Sequence, residues 1–295
     1  MPFIRTAAAT AALLTAFGAQ AAPDWNAVKP RNISVFHPAT ATFNWTTTKG
    51  AHSGVRGMTS KGERCSGCHE DQGQLNFDFL RLRDPAMEPV GAPKTMQFPV
   101  AVQAAYDAEN LYIRLRFKAP ADAAEAAPRE ANSPKHDVKA AVMFVGEKVQ
   151  MGAQVGCWAT CHSDVRSMPG ADKDKKKYVK DADVAGGKYT DYIQWKSGEA
   201  GQGAMFLDGH VAQARVNKDG KALVKAEGAM DGDHTVVTFT RKLTGGDGDV
   251  ALAEGKVVPF GIAIHADRVV WRFHHVSLDY TLGLGVDADV KAVKF

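Results

Sequence analysis

The clearest pattern along the chain is an alternation of apolar and polar residues just after position 110. Residues 111–118 read LYIRLRFK, so every second side chain is apolar. A period of two is typical of a strand that buries one face. A turn at residues 107–110 separates it from an apolar run at 98–104, which predicts a second strand. Further predicted strands, separated by glycine, asparagine and aspartate clusters, are residues 138–145, 204–207, 211–216, 234–240, 257–265 and 269–276.

These patterns divide the chain into three segments. Residues 96–295 are predicted to form a mainly β domain, a β-sandwich or a barrel. Residues 22–95 have poor periodicity and many prolines and glycines, so we expect a small, loop-rich segment that a cofactor organises. Residues 1–21 combine Arg5, an uncharged apolar stretch and the ending Ala19-Gln20-Ala21. That combination predicts a cleavable signal peptide, with an uncleaved N-terminal anchor as the alternative.

The net charge and the length of the apolar runs limit which partners and which cellular location we expect. The formal net charge of +3 over 295 residues is too small to indicate nucleic acid as a partner. After the predicted signal peptide, no apolar run reaches the roughly 20 residues that a membrane-spanning helix needs. We therefore expect no transmembrane segment in the mature chain and a periplasmic, oxidising location.

The four cysteines fall into two pairs, and each pair is followed directly by a histidine. Residues 65–69 read CSGCH, and residues 157–162 read CWATCH. The first spacing is the attachment pattern of haem c, in which two thiols bind the haem vinyl groups and the histidine binds the iron. The second has one extra residue, which still allows both bonds through a bulged turn. We expect two haem c groups, attached through Cys65, Cys68, Cys157 and Cys161, with His69 and His162 as proximal ligands.

Two other readings of these cysteines stay open. Two local disulfides suit an oxidising compartment, and a zinc site that used both pairs would have suitable ligand types. Neither reading requires a histidine directly after the second cysteine of each pair. A thioredoxin-like redox pair would lie at a strand-to-helix junction, and neither motif has that context.

A closed haem iron needs a second axial ligand, usually histidine or methionine. His52 lies in a glycine-rich stretch shortly before Cys65, where it could fold back over the first haem. Neighbouring strand residues point to opposite faces, so only one residue of the His274-His275 pair can reach a given iron. For the second haem, His274, His275, His265 and Met143 are candidates, each with ordinary packing or surface exposure as the alternative.

The quoted motifs resemble a known family. The stretches CWATCHSDVRSMP and FGIAIHADRVVWRFHHVS resemble the haem-binding domain of the ethylbenzene dehydrogenase γ-subunit type, also found beside dimethylsulfide dehydrogenase. The stretch AHSGVRGMTSKGERCSGCHE resembles the extra N-terminal haem c segment of some members. The resemblance implies a β-sandwich that holds a haem between strand ends, which in the γ-subunits is a haem b with methionine and lysine ligands. It also implies His52 as the distal ligand of the first haem and His274, matched to the family's lysine, for the second.

The resemblance implies electron transfer rather than catalysis, either as a free carrier or as a subunit of a periplasmic oxidoreductase. Redox partner proteins would be a molybdoenzyme catalytic subunit or a membrane quinol-oxidising cytochrome. One alternative is a dihaem enzyme, such as a peroxidase or small-molecule reductase, which needs an open iron and an acid–base group. Another is a haem-based sensor. The supply of histidines favours closed irons, so we expect no catalytic residues.

Overall fold

The structure is a computed structural model that describes residues 22–76, 78–83, 92–120, 138–156, 158–161, 178–198, 204–265 and 274–295. The predicted signal peptide at 1–21 lies outside the described residues, and so do Cys157 and His162. The helix that contains Cys161 is described, but the side chain of Cys161 is not.

The described residues form short helices and many strands. The strands are β1 (Arg31–Phe36), β2 (Glu70–Asp71), β3 (Gln74–Leu75), β4 (Gln97–Tyr106), β5 (Asn110–Phe117), β6 (Lys139–Val145), β7 (Thr190–Lys196), β8 (Met205–Val211), β9 (Arg215–Val216), β10 (Leu223–Asp231), β11 (His234–Lys242), β12 (Val257–His265), β13 (His275–Ser277), β14 (Tyr280–Leu284) and β15 (Val290–Lys294). The helices are α1 (Phe43–Thr46), α2 (Val55–Lys61), α3 (Cys65–His69), α4 (Gly152–Val155), α5 (Trp158–Cys161) and a 3-10 helix (Phe79–Leu82). Among the described helices, none has the length and apolar character needed to cross a membrane.

One large sheet dominates the fold. Its 13 described strands follow the order β10-β11-β5-β4-β1-β13-β12-β6-β7-β8-β9, and β14 and β15 form a second link between β12 and β4. Near one edge, β10 contacts β7 and β8 from the opposite end of this order. The contact is so close that a Cβ on Gly228 of β10 would lie 2.1 Å from the Trp195 ring of β7. The sheet therefore folds back on itself, and its halves pack face to face. The predicted mainly β fold is confirmed.

The alternating segment behaves as its pattern predicts. It forms β5, and Leu111, Leu115 and Phe117 are buried in the core. Predicted strands near 98–104, 138–145, 234–240 and 257–265 also occur, as β4, β6, β11 and β12. The predicted division into strands 204–207 and 211–216 is wrong, because β8 runs through to Val211 before the chain turns into β9. Of the predicted strand at 269–276, residues 269–273 lie outside the described residues, and β13 begins at His275.

The N-terminal segment contributes more than loops. Its strand β1 lies in the large sheet between β4 and β13, with Ile33 opposite Val100 and Val35 opposite Ser277. Ile33 and Val35 have no exposed surface, so this apolar stretch is held by burial on both sides. The rest of the described segment forms α1 to α3, the 3-10 helix and the small β2–β3 pair. A boundary at residue 95 stays a prediction, and a strand from before it joins the sheet after it.

Cross-strand pairing shows which side chains share a face of the sheet. Directly paired residues point to the same face, and the side alternates along each strand. Val276 pairs with Phe36 and with Ala263, and Ala263 pairs with Ala141. These four residues therefore lie on one face of the sheet, called the helix face below.

Helix α5 packs on the helix face. Trp158 is buried and contacts Phe36 edge-on, with 5.6 Å between the ring centres. The Thr160 hydroxyl lies 3.0 Å from the hydroxyl of Thr190 on β7. The second cysteine motif thus begins against the sheet, on the side that also faces the first motif.

Candidate haem sites

The first cysteine motif forms a single helical turn, α3, which begins after Arg64 and ends before Glu70. Cys65 and Cys68 stand three residues apart, a spacing that puts them on the same side of a helix. Both are free thiols, so no local disulfide joins this pair. Burial raises the pKa of the Cys65 thiol, whose sulfur lies 3.9 Å from the sulfur of Met58.

The structure brings together the two histidines that the sequence predicts for the first haem. The rings of His52 and His69 have centres 5.9 Å apart and planes inclined by 33°. An imidazole nitrogen binds a transition metal at about 2 Å, so two rings opposed across one ion have centres about 6 Å apart. The observed spacing therefore fits one iron between the two rings.

Hydrogen bonds orient both rings in the same way. Nδ1 of His52 lies 3.1 Å from the Thr46 carbonyl oxygen, and Nδ1 of His69 lies 3.3 Å from Oδ1 of Asn76. A metal-binding histidine usually makes such a contact through its second nitrogen, so Nε2 is the candidate metal-binding atom in each ring. Gly54 allows the position of His52, because a Cβ there would lie 2.8 Å from Cε1 of that ring.

A cavity of about 320 Å³ adjoins these side chains. Its wall includes both thiols, both histidines and a set of large apolar side chains, namely Trp45, Met58, Leu82, Trp158 and Leu278. Paired thiols, opposed imidazoles and an apolar wall are what a covalently attached haem requires. The residues present fit haem c at this site.

Asp279, at the start of the last strands, anchors the first motif and was not identified from the sequence. Its carboxylate accepts hydrogen bonds from Arg64 Nε at 2.6 Å and from the Ser66 amide at 2.9 Å. Only 1% of the Asp279 side chain is exposed, so this ion pair is buried on the aspartate side. Gly156, just before the second motif, also packs here, since its Cβ would lie 3.1 Å from Cα of Asp279. Residues that directly precede each motif, Arg64 and Gly156, therefore both contact Asp279.

The second motif can be followed only in part. Cys157 and His162 lie outside the described residues, and nothing is described of the Cys161 side chain. The neighbouring Trp158 is described: it contacts Phe36 and also lines the first cavity. The structure thus places Trp158 of the second motif next to the first site. The 87 residues between the two motifs conceal this proximity in the sequence.

The candidate distal histidines of the second haem lie on different faces of the sheet. Ile264 pairs with His275, so His265 and His274 are opposed just beyond that pair and lie on the helix face. Their rings stack with centres 4.9 Å apart and planes inclined by 18°. His275 points into the core instead, where its Nε2–H donates to the Thr95 carbonyl at 2.7 Å.

Met143, the methionine alternative, is not beside these rings. It also belongs to the helix face, but it pairs with Gly261, four positions along β12 from His265. Its side chain packs against the hydrophobic core. The structure therefore brings His274 together with His265 and leaves Met143 further along the sheet.

A cluster of cations borders the His265–His274 pair and was not identified from the sequence. On neighbouring strands, Lys139 pairs with His265 and with Lys196, so these residues form a row on the helix face. Burial lowers the pKa of Lys139, and the positive charges of Lys196 and Arg215 lower it further. Within the described part of the chain, no ion pair joins these three cations to a carboxylate.

Lys139 and Lys196 are partly buried and Arg215 is exposed. Such a group of cations suits an anionic ligand, and the carboxylates of haem propionates are one example. The adjoining stretch of the helix face has small residues, Ala141, Gly261 and Ala263. Burial, followed by the charge of His274, lowers the pKa of His265 well below its ordinary value, which keeps an imidazole neutral as a metal ligand must be. The described residues fit a second haem on the helix face.

Comparison with known proteins points to one family. The model of the ethylbenzene dehydrogenase family matches residues 22–236. The chain is 44% identical to cytochrome c-552 of Stutzerimonas stutzeri, with 94% of this chain and 92% of that protein aligned. It is 38% identical to cytochrome c-551 of Rhodocyclus tenuis, with 92% of this chain and 100% of that protein aligned.

Proposed function

Because this chain belongs to the ethylbenzene dehydrogenase family, we propose that it is a c-type cytochrome that transfers electrons through two covalently attached haems. Two relatives that match almost its whole length are named cytochromes c, which supports haem c as the cofactor. The observation with the most weight is the opposed pair His52 and His69, with ring centres 5.9 Å apart, beside two free thiols.

Each residue has a role in this proposal. When bound, a haem iron supplies a one-electron redox couple. Cys65 and Cys68 would hold the first haem, while His69 and His52 occupy both axial positions. Cys157 and Cys161 would hold the second, with His162 and His274 as axial ligands and His265 as the nearest alternative to His274.

Closure of both axial positions serves electron transfer rather than catalysis. Two histidines keep the same coordination in both oxidation states, so little of the protein rearranges when an electron arrives or leaves. An enzyme such as a peroxidase or reductase would instead need one open position for its substrate. Carbon monoxide discriminates the two, because it binds reduced haem only where a position is open.

The arrangement also supports transfer between the two haems. Trp158 lines the first cavity and directly follows Cys157, the first attachment residue of the second haem. The His265–His274 pair lies on the same helix face that α5 covers. Two haems held in this way would share one side of the sheet, with apolar side chains between them.

The sequence and the family support a proposal for the cellular location and the redox partners of the chain. We propose export by the signal peptide at 1–21, a periplasmic mature chain, and a division into an N-terminal haem c segment (22–95) and a β domain with the second haem (96–295). Donor or acceptor would be a redox protein, such as a molybdoenzyme catalytic subunit or a membrane quinol-oxidising cytochrome. The chain would act as a free carrier or as the electron-transfer subunit of such an oxidoreductase.

Intact mass measurement tests the two attachments. The mature holoprotein is expected to exceed its polypeptide mass by two haems, and Cys65→Ala/Cys68→Ala and Cys157→Ala/Cys161→Ala should each lose one. Reduced wild-type protein should bind no carbon monoxide at either iron. A wild-type mass with a single haem, together with a disulfide between Cys157 and Cys161, would contradict the second attachment.

A pair of neighbouring substitutions tests the second distal ligand. His274→Ala is expected to leave the haem attached but to open its iron, giving a high-spin form that binds carbon monoxide when reduced. His275→Ala should leave the iron closed and only destabilise the fold, by about 1–3 kcal/mol, because Thr95 loses a buried hydrogen-bond donor. If His265→Ala opens the iron and His274→Ala does not, the axial ligand is His265.

A further inference from the structure

Three aspartates converge inside the folded sheet, away from both haem sites. Asp191 lies on β7, Asp208 lies on β8, and Asp249 lies in the connection between β11 and β12. One carboxylate oxygen from each lies within 4.8 Å of those of the other two. Asp191 stands between Thr190 and Tyr192 on its strand, so it points to the face opposite the helix face.

One oxygen of each carboxylate accepts a hydrogen bond from a main-chain amide. Oδ2 of Asp191 accepts from the Val250 amide at 3.0 Å, Oδ2 of Asp208 from the Leu223 amide at 2.7 Å, and Oδ2 of Asp249 from the Lys221 amide at 2.9 Å. These bonds fix the three side chains to the main chain of separate elements.

The other oxygen of each carboxylate is buried and has no protein partner. Among the described residues, nothing donates a hydrogen bond to Oδ1 of Asp191, Asp208 or Asp249. Asp191 itself has no exposed surface. A buried carboxylate oxygen without a donor is costly, and nearly all such atoms in proteins have a partner. Three such oxygens in one cluster indicate a ligand that binds several carboxylate oxygens at once. Nε and Nη1 of Arg241 are also buried without a partner among the described residues, and water bound beside that ligand would satisfy these donors.

The charge of the cluster points to the same kind of ligand. Arg241 donates to Oδ2 of Asp191 at 2.8 Å, and within the described chain this is the one ion pair that the three carboxylates make. Three negative charges and one positive charge leave a net charge of about −2 when all three carboxylates are ionised. The three carboxylates lie within 4.8 Å of one another, so their negative charges repel, and a bound cation would remove that repulsion.

We propose that Asp191, Asp208 and Asp249 bind a divalent cation, and that the cation is Ca²⁺. The ligand atoms are carboxylate oxygens without nitrogen or sulfur, the set that Ca²⁺ prefers over Zn²⁺ and other softer metals. Ca²⁺ tolerates the irregular geometry that separate strands and a loop impose, whereas Mg²⁺ demands a near-ideal octahedron. Water and main-chain oxygens complete the shell.

Two glycines allow the main chain to approach these carboxylates. A Cβ on Gly220 would lie 2.3 Å from the Asp208 carboxylate, and a Cβ on Gly245 would lie 2.1 Å from Oδ2 of Asp249. Any other residue would push the carboxylates out of place. The cation would thereby tie β7, β8 and the connection before β12 into one unit.

The test is metal binding by the holoprotein after treatment with EDTA. Equilibrium dialysis against Ca²⁺ with elemental analysis is expected to give about one Ca²⁺ per chain, and added Ca²⁺ should raise the Tm. Asp208→Asn should weaken Ca²⁺ binding at least about tenfold while its amide oxygen still accepts from Leu223. Asp247→Asn, exposed in the same connection as Asp249, is the matched control and should bind as wild type does.

Other results would overturn the proposal. If no Ca²⁺ is retained and the Tm does not respond, the cluster is held by a shared proton or by water between Arg241 and the carboxylates. If Mg²⁺ binds as tightly as Ca²⁺, or if Asp247→Asn weakens binding as much as Asp208→Asn, the assigned metal or its ligands are wrong. Haem absorbance, recorded in parallel, should stay unchanged, which keeps this test separate from the haem assignments.

Discussion

His52→Ala is expected to convert the first haem from a closed to an open iron without detaching it. Cys65 and Cys68 would still hold the haem covalently, and His69 would still bind one side of the iron. The opposite side would lose the ring that faces His69 at 5.9 Å between centres. Reduced protein should then bind about one carbon monoxide per chain, where the wild type binds none.

Two controls make this result specific. His234→Ala removes a histidine at the start of β11 that pairs with Asp233 and does not line the first cavity, so it should leave both irons closed. Asn76→Ala removes the partner of His69 Nδ1 and should change the spectrum of the first haem without opening it, since it acts through the ring orientation.

A different outcome would identify another ligand. If His52→Ala stays low-spin and binds no carbon monoxide, the best remaining candidate is Met58, which lines the same cavity and is 5% exposed. The double substitution His52→Ala/Met58→Ala would then open the iron. In that case the ring spacing of His52 and His69 reflects packing and not ligation.

Most of the first candidate haem site could be predicted from the sequence, because the residues that would bind the haem lie close together along the chain. The two thiols and His69 fall within five residues, so a single helical turn positions them whatever the rest of the fold does. His52 is close enough along the chain to return over the same turn. The alternation in β5 was equally readable, because one face of that strand meets the core and the other does not.

Strand β7 shows why other elements were missed. Its sequence TDYIQWK has no period of two, and six successive residues are buried. A strand covered on both sides has no exposed face to produce alternation. From the local sequence alone, Asp191 near the start of β7 would be expected at the surface. It lies in the core instead, beside Arg241, which is 50 positions away in sequence. Strand β10 was missed for the opposite reason: LVKAEGAMD is mostly exposed at a sheet edge.

The sequence could not predict groups of residues that are far apart along the chain and come together only in the folded sheet. Lys139, Lys196 and Arg215 come from β6, β7 and β9, which lie close together at one end of the strand order and so bring the three cations together. Asp279 reaches Arg64 across 215 positions. No spacing rule relates such residues, so only the assembled sheet identifies the anchor of the first motif.

Asp279→Ala is therefore expected to be among the most destabilising single substitutions in this chain. It removes the acceptor of the Ser66 amide and of Arg64. The partly buried Arg64 guanidinium would keep Asp289 and the Asp279 carbonyl as its partners among the described residues. Breaking a buried ion pair on one side costs about 3–5 kcal/mol, and loss of a hydrogen bond at the start of α3 adds to that. Because α3 contains Cys65 and Cys68, a smaller fraction of purified chains should hold the first haem.

Urea unfolding of the holoprotein, followed by far-ultraviolet circular dichroism, measures the loss as a lower midpoint at similar slope. Asp287→Ala is the matched control, since its side chain is 99% exposed and its ion pair within the described part of the chain is with Lys291, four residues away. That substitution should change the free energy of unfolding by no more than about 0.5 kcal/mol. Asp279→Asn should fall between the two, because the amide oxygen still accepts from Ser66 but the charge opposite Arg64 is gone. If Asp279→Ala is as mild as Asp287→Ala, the first motif is held by its haem and by apolar contacts alone, and the carboxylate is not its anchor.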